Sequence, residues 1–209
     1  MMVGAEIKKA TESEVVAERT TRESKITCRI DAGKRRETRI DTGLQFLNHM
    51  IETIAWRMNL NVDFKFYAKN FKLTHVIAED SGIVLGSALR AMFEKRMKKG
   101  VEGASRSIID EGSATAAVSI EGRPKLIFEG NAATDMTEVE DMKTCDLDDF
   151  LDGLALGLGA TIRITVEAGK DPHHAWESVF RALGEALREA FEPNPWRKGT
   201  TVGVKGTLK

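Results

Sequence analysis

The chain has 209 residues, 42% hydrophobic and 30% charged, and a formal net charge of -1, so it can bury a sizeable core yet has neither a nucleic-acid-binding basic footprint nor an acidic tail. Two cysteines, Cys28 and Cys145, are too few for a disulfide framework, and a reducing cytoplasm is the expected compartment. The N-terminus lacks the apolar run of a signal peptide and no stretch is apolar enough to span a bilayer, so no membrane partner is expected.

Residues 1–18 are polar and charged and are expected to form an extension or a frayed helix. Lys25 to Asp31 alternates apolar and polar side chains, the pattern of a half-buried strand. Ala32 to Arg35 reads as a turn and Glu37 to Asp41 as the returning strand of a hairpin. Thr42-Gly43 opens a helix with apolar Leu44, Leu47, Ile51, Ile54 and Ala55, and His49 lies within it. Asn61 to Tyr67 is a strand. A long helix follows from about 75 to 98, ended by basic residues and Gly100.

The plan then repeats. Residues 113–120 and 125–129 flank Glu121-Gly122-Arg123-Pro124 as a second hairpin, and 131–145 reads as loop. A helix from Leu147 to Gly159, a strand over 161–166 and a helix to Phe191 complete the half, with Pro193 and Pro195 as stops. The expectation is an α+β fold of two duplicated halves, each β-β-α-β-α, over residues 19–100 and 101–209.

The repeat is clearest in the two long helices. Shifting the chain by 98 lays His75 on His173, Glu79 on Glu177, Gly86 on Gly184, Arg90 on Arg188 and Phe93 on Phe191, without a gap. Residues i and i+4 of a helix share a face, so each His–Glu pair can present nitrogen and oxygen to Zn, Mn or Fe. A single such pair is more often a surface hydrogen bond; two in register point to a ligand role. His174, rotated by about 100° from His173, addresses a different neighbour.

These stretches resemble the imidazoleglycerol-phosphate dehydratase family over nearly the whole chain. The resemblance rests on Phe46-Leu47-Asn48-His49-Met50, His75-Val76-Ile77-Ala78-Glu79-Asp80, Glu121-Gly122-Arg123-Pro124, His173-His174-Ala175-Trp176-Glu177 and Gly203-Val204-Lys205-Gly206, which together hold all four histidines. It implies two sheets around a helical layer, like ribosomal protein S5 domain 2. It also implies a homo-oligomer built from trimers, with 24 subunits and active sites between them. Two Mn ions would be held by His49, His75, Glu79, His173, His174 and Glu177. The implied substrate is a small phosphorylated imidazole, dehydrated to imidazoleacetol phosphate in histidine biosynthesis. A metal on the imidazole nitrogen would draw off electrons as a proton and a hydroxide leave. Glu23 and Glu177 would move protons, and Arg123, Lys205 and Arg106 would meet the phosphate.

The sequence departs from the family pattern at Val76 and Arg163, where histidines are expected, and at Thr53, Arg57, Glu102-Gly103 and Gly203. One Mn per subunit is therefore favoured over two, with the Arg163 guanidinium standing in for the other charge. Helix geometry favours His75, Glu79 and His174 as the preserved set. The alternative function is a catalytically impaired, metal-binding paralogue that acts as a structural or interaction oligomer.

Overall fold

The computed structural model describes residues 4–70, 72–96 and 102–197. Its first sheet holds β1 (Glu6–Ala10), β2 (Glu14–Thr20), β3 (Ser24–Asp31), β4 (Ile40–Asp41) and β5 (Asn61–Ala68), in the order β1-β2-β3-β5-β4. Its second holds β6 (Glu102–Ile109), β7 (Gly112–Ser119), β8 (Lys125–Glu129) and β11 (Thr161–Ala168), in the order β6-β7-β11-β8. Four α-helices, α1 (Gln45–Arg57), α2 (Thr74–Lys95), α3 (Thr144–Leu158) and α4 (Pro172–Ala190), lie between the sheets. A short ribbon of β9 (Glu138–Val139) and β10 (Met142–Lys143) crosses the segment read as loop.

The duplication is visible in the topology. Leaving out β1, the order β2-β3-β5-β4 in one sheet matches β6-β7-β11-β8 in the other. Each half is β-β-β-α-β-α, one strand more than expected. The α+β class is as read from the sequence, and the layered arrangement is as the family resemblance implied.

Both expected hairpins are corrected in the same way. β3 pairs antiparallel with β2 and β5, while β4 runs parallel to β5 through Ile40 opposite Phe64. Likewise β8 runs parallel to β11, with Thr161 opposite Lys125, and β7 pairs with β6 and β11. Alternation tells which face of a strand is buried, not which strand lies beside it; an intervening helix lets the next strand return parallel. The segment read as extension forms β1 and β2. It was hidden because β2 buries only Val15 and Ala17, and four of the five residues of β1 are exposed.

The core fills the space between sheets and helices. On β3 the buried residues alternate as Ser24, Ile26, Cys28 and Ile30. Trp176, Phe180, Phe150, Phe93 and Phe64 are fully buried, each worth about 2–3 kcal/mol of apolar transfer. Helices α1 and α2 cover the first sheet and α3 and α4 the second; α2 packs on α3 and α1 on α4. At the α2–α3 crossing the backbones touch. A Cβ on Gly82 would sit 2.1 Å from the Phe150 carbonyl, and one on Gly153 2.4 Å from that of Glu79. Only glycine allows that approach.

Candidate metal centre

Helix α4 starts on a built cap. The Asp171 carboxylate accepts from the His173 amide at 2.8 Å, and Pro172 occupies the first turn, where its missing N–H costs nothing. His173 and His174 thus fall in the first turn and Glu177 one turn further on. Helix α1 is capped from a distance: the Asp141 carboxylate, on the β9–β10 turn, accepts from the amides of Gln45 at 2.5 Å and Phe46 at 2.9 Å. One turn later comes His49.

The α1–α4 packing brings these residues together. His49 Nε2 and His173 Nε2 each lie 3.3 Å from Glu177 Oε2. The three ligand atoms fall within 4.8 Å of one another, the one such group of three among the described residues. Two imidazoles and a carboxylate on one side of a point form a facial ligand set for a divalent cation. The supporting contacts fit. His173 Nδ1 is 2.9 Å from Glu140 Oε1, and Glu177 Oε1 accepts from Arg181 Nε at 2.9 Å and Nη2 at 2.7 Å. Partners of this kind orient ligands through the atom the metal leaves free. Burial pushes the Glu177 carboxyl up, but the bonds from Arg181 and His49 outweigh it and hold the group below 4.5. Beside the trio, a cleft of about 240 Å³ is lined by Thr53, Trp56 and Arg57 of α1 and by Glu177 and Arg181 of α4.

The remaining sequence candidates lie elsewhere. Within the chain the set His75, Glu79 and His174 is not assembled, because α2 and α4 pack on different helices. His174 instead meets the turn between β6 and β7, with Nδ1 2.8 Å from Glu111 Oε2 and Nε2 3.4 Å from Asp110 Oδ2. Glu111 is pulled down to about 2 by the Asp171 amide, its own amide and His174, and in turn raises the imidazole of His174. His75 and Glu79 are exposed, and neither side chain has a hydrogen bond or ion pair among the described residues. Asp149 of α3 feels His75, which pulls its carboxyl down against the larger upward pushes of burial and Asp146.

Glu23, exposed on the β2–β3 turn, shares no hydrogen bond with the trio; its amide bonds Thr21 Oγ1 at 3.1 Å. Arg106 pairs with Glu167 at 2.5 Å, and Arg163 with Glu129 on the neighbouring strand. Within the described residues Arg163 has no hydrogen bond or ion pair to Glu79. Arg123 is exposed in the β7–β8 turn, where its carbonyl accepts from Thr161 Oγ1 at 2.9 Å. Lys205 lies outside the described residues. Asp80, next to Glu79, is buried and held by Arg19 and by Ser24 Oγ, each at 3.0 Å, a structural use of that motif residue.

Sequence reading missed Glu140, Asp141, Glu111 and Arg181. Arg181 was findable, being one turn after Glu177 on the same face. The other three sit on turns whose partners are distant in sequence, and no local pattern marks them.

Comparison with known proteins agrees with this architecture. The profile of the imidazoleglycerol-phosphate dehydratase family matches residues 42–187. An imidazoleglycerol-phosphate dehydratase of Clostridium botulinum is 37% identical, covering 91% of this chain and 95% of its own. One from Neisseria gonorrhoeae is 34% identical over 93% of this chain, which spans 63% of that relative's length. The crystal structure of the Pyrococcus furiosus enzyme, in complex with (S)-C348, superposes with a TM-score of 0.78 at 29% identity, covering 91% of this chain and 99% of that one. The Staphylococcus aureus enzyme gives 0.75 at 25%, covering 87% and 99%. Profile, sequence relatives and fold agree: the chain belongs to the imidazoleglycerol-phosphate dehydratase family.

Proposed function

We propose that the chain is a metal-dependent hydro-lyase that removes water from imidazoleglycerol phosphate to give imidazoleacetol phosphate in histidine biosynthesis. Family membership supports the substrate class. The observation that carries the mechanism is the convergence of His49 Nε2, His173 Nε2 and Glu177 Oε2. Two neutral imidazoles and one ionised carboxylate suit Mn2+, and the favoured load is one ion per chain. When bound, the ion supplies Lewis acidity that stabilises charge developing on the substrate's imidazole. The chain's residues do the rest. Glu177 stays ionised because the Arg181 guanidinium donates to it, and Arg181 fixes the carboxylate plane. Arg57, paired with Glu185 at 3.3 Å, and Arg181, paired with Glu177, line the adjoining cleft, where an anionic group of the substrate can settle. Glu23, Arg123 and Lys205 keep the proton-transfer and phosphate roles that the resemblance implies, served from a neighbouring subunit.

A homo-oligomer is part of this reading. Both unassembled ligand groups lie beside exposed apolar side chains, Leu73 near His75 and Ile108 near Asp110, at 43% and 66% exposure. Apolar groups at such positions suit a subunit contact. The absence of a membrane-spanning helix among the described residues is consistent with a cytoplasmic enzyme.

The test is to incubate the purified chain with imidazoleglycerol phosphate and Mn2+ and to follow imidazoleacetol phosphate. Product that requires Mn2+ is expected; none at any metal concentration overturns the lyase reading. One observation favours a second reading, a metal-holding oligomer without catalysis: the His75–Glu79 pair lacks a third ligand among the described residues of its own chain. Mn2+ uptake without product would establish it.

A further inference from the structure

We propose that Glu140 is a positioning residue for the cation site, orienting His173 so that Nε2 faces the point shared with His49 and Glu177. The inference rests on the metal reading above and extends it to a residue that no motif marks. Glu140 Oε1 lies 2.9 Å from His173 Nδ1. An ionised carboxylate only accepts, so a neutral ring whose Nε2 lone pair is given to a cation carries its proton on Nδ1, the atom that faces Glu140. That is the atom 3.3 Å from Glu177 Oε2. A ring with the opposite tautomer would point an N–H at the cation.

Two further observations separate this contact from a chance surface pair. Glu140 sits at φ +51°, a left-handed conformation that L side chains rarely adopt and that glycine takes freely. Backbone strain of this kind gathers where a side chain serves a site. The turn is also anchored on its far side. Asp141 holds the Gln45 and Phe46 amides of α1, and the Phe46 ring meets His173 edge-on with centroids 5.2 Å apart. One turn therefore grips the helix bearing His49 through Asp141, and the helix bearing His173 and Glu177 through Glu140.

The experiment compares the unsubstituted full chain with Glu140→Gly, Glu140→Gln and Glu140→Asp, using Mn2+ alone as the probe. Calorimetric titration reads Mn2+ affinity, long-range 1H–15N NMR on the metal-free chain reads the His173 tautomer, and thermal melts read the fold. Loss of such a partner typically weakens a metal site by about 10–100-fold. The low end, about tenfold, is expected for Glu140→Gly and Glu140→Gln, because the Glu140 side chain is 55% exposed and water competes. Glu140→Asp recovers part of the affinity. In Glu140→Gly the proton of neutral His173 shifts away from Nδ1 towards Nε2, where Glu177 Oε2 at 3.3 Å accepts it, and the melting temperature stays level or rises since glycine suits the backbone. A merely structural role predicts the reverse: a lower melting temperature with affinity unchanged. Unchanged Mn2+ affinity in Glu140→Gly overturns the positioning role alone. No Mn2+ uptake by the unsubstituted chain overturns the metal reading together with it.

Discussion

The two helix crossings at the centre of the molecule come from the same duplicated element and end differently. A shift of 100 lays Leu47 of α1 on Leu147 of α3, Ile51 on Leu151, Ile54 on Leu154 and Ala55 on Ala155. The same shift lays Thr53 on Gly153 and Arg57 on Gly157. Where α3 has glycine, its backbone presses onto α2; a Cβ at Gly157 would stand 2.3 Å from the Ile83 carbonyl. Where α1 has Thr53 and Arg57, those side chains line a cleft against α4. Close contact at one crossing leaves His75 and Glu79 at its rim without a hydrogen bond or ion pair among the described residues. The wider crossing leaves room for a site, and His49 fills it. Equal ligand spacing on two helices does not make two equal sites; the residues facing them across the crossing decide.

The comparison can be broken most severely at the close crossing. Gly86→Ala puts a methyl group 2.5 Å from the Leu154 carbonyl, and a loss of about 3 kcal/mol in chemical denaturation is expected. Its counterpart Gly184→Ala meets the Arg57 Cβ at 2.6 Å, which moves only with the α1 backbone, but the nearest carbonyl, of Ile54, stands at 3.1 Å; a somewhat smaller loss of about 2 kcal/mol is expected. Equal losses would show that the crossings are equally tight.

Next in size are the ligand glutamates. Glu177→Ala strands Arg181 in a largely buried place and removes a ligand. About 2 kcal/mol of stability, discounted for the partial exposure of Arg181, and about a hundredfold in Mn2+ affinity should go. The Glu177 contribution is present above pH 4.5 and lost as the pH falls through its lowered folded value, so the variant's deficit should shrink in acid. Glu79→Ala, at an exposed position, should change stability by less than about 0.5 kcal/mol and leave Mn2+ binding to the isolated subunit intact. Calorimetry of both variants decides this, and a Glu79→Ala chain that loses Mn2+ would transfer the site to the first half.

A smaller effect separates Asn48 of α1 from Asp148, its counterpart in α3. The Asn48 carbonyl accepts from the Thr42 amide and hydroxyl at 2.8 and 2.7 Å. Asp148 has a buried, unpartnered Oδ1, and burial followed by Asp149, Asp152 and Asp135 pushes its carboxyl up to about 6. A raised acid binds more protons in the folded state, so stability falls as the pH rises from about 4 to 6. Asp148→Asn should therefore stabilise the chain at pH 7 by about 1 kcal/mol, after discounting for solvent screening, and flatten its pH dependence. No gain at pH 7 would deny the repulsion.

The smallest effect is at His174. Its hydrogen bond from Nδ1 to Glu111 raises the imidazole above its usual 6.5, so this contact stabilises below that pH and is lost as the pH rises through the folded value. An NMR titration of Glu111→Gln should show His174 returning towards 6.5; an unchanged titration would leave Glu111 without the role.

Much was legible from residues alone, and the reason is local. Helix periodicity and the 98-residue self-match need only neighbours in sequence, so the duplication, the α+β class and the four helices could be read directly. The His–Glu spacing likewise belongs to a single helix, and the motifs around it were enough to identify the family. Strand neighbours were not legible, because β4 and β8 each reach their sheet beyond an intervening helix. Nor was the choice between the two ligand pairs. That depended on glycine at 153 and 157 against threonine and arginine at 53 and 57, read through a helix crossing, and on a turn at Glu140–Asp141 whose partners are 33 and 95 residues away. Local patterns set which side chains share a face; only packing set which faces meet, and the candidate site is made where they do.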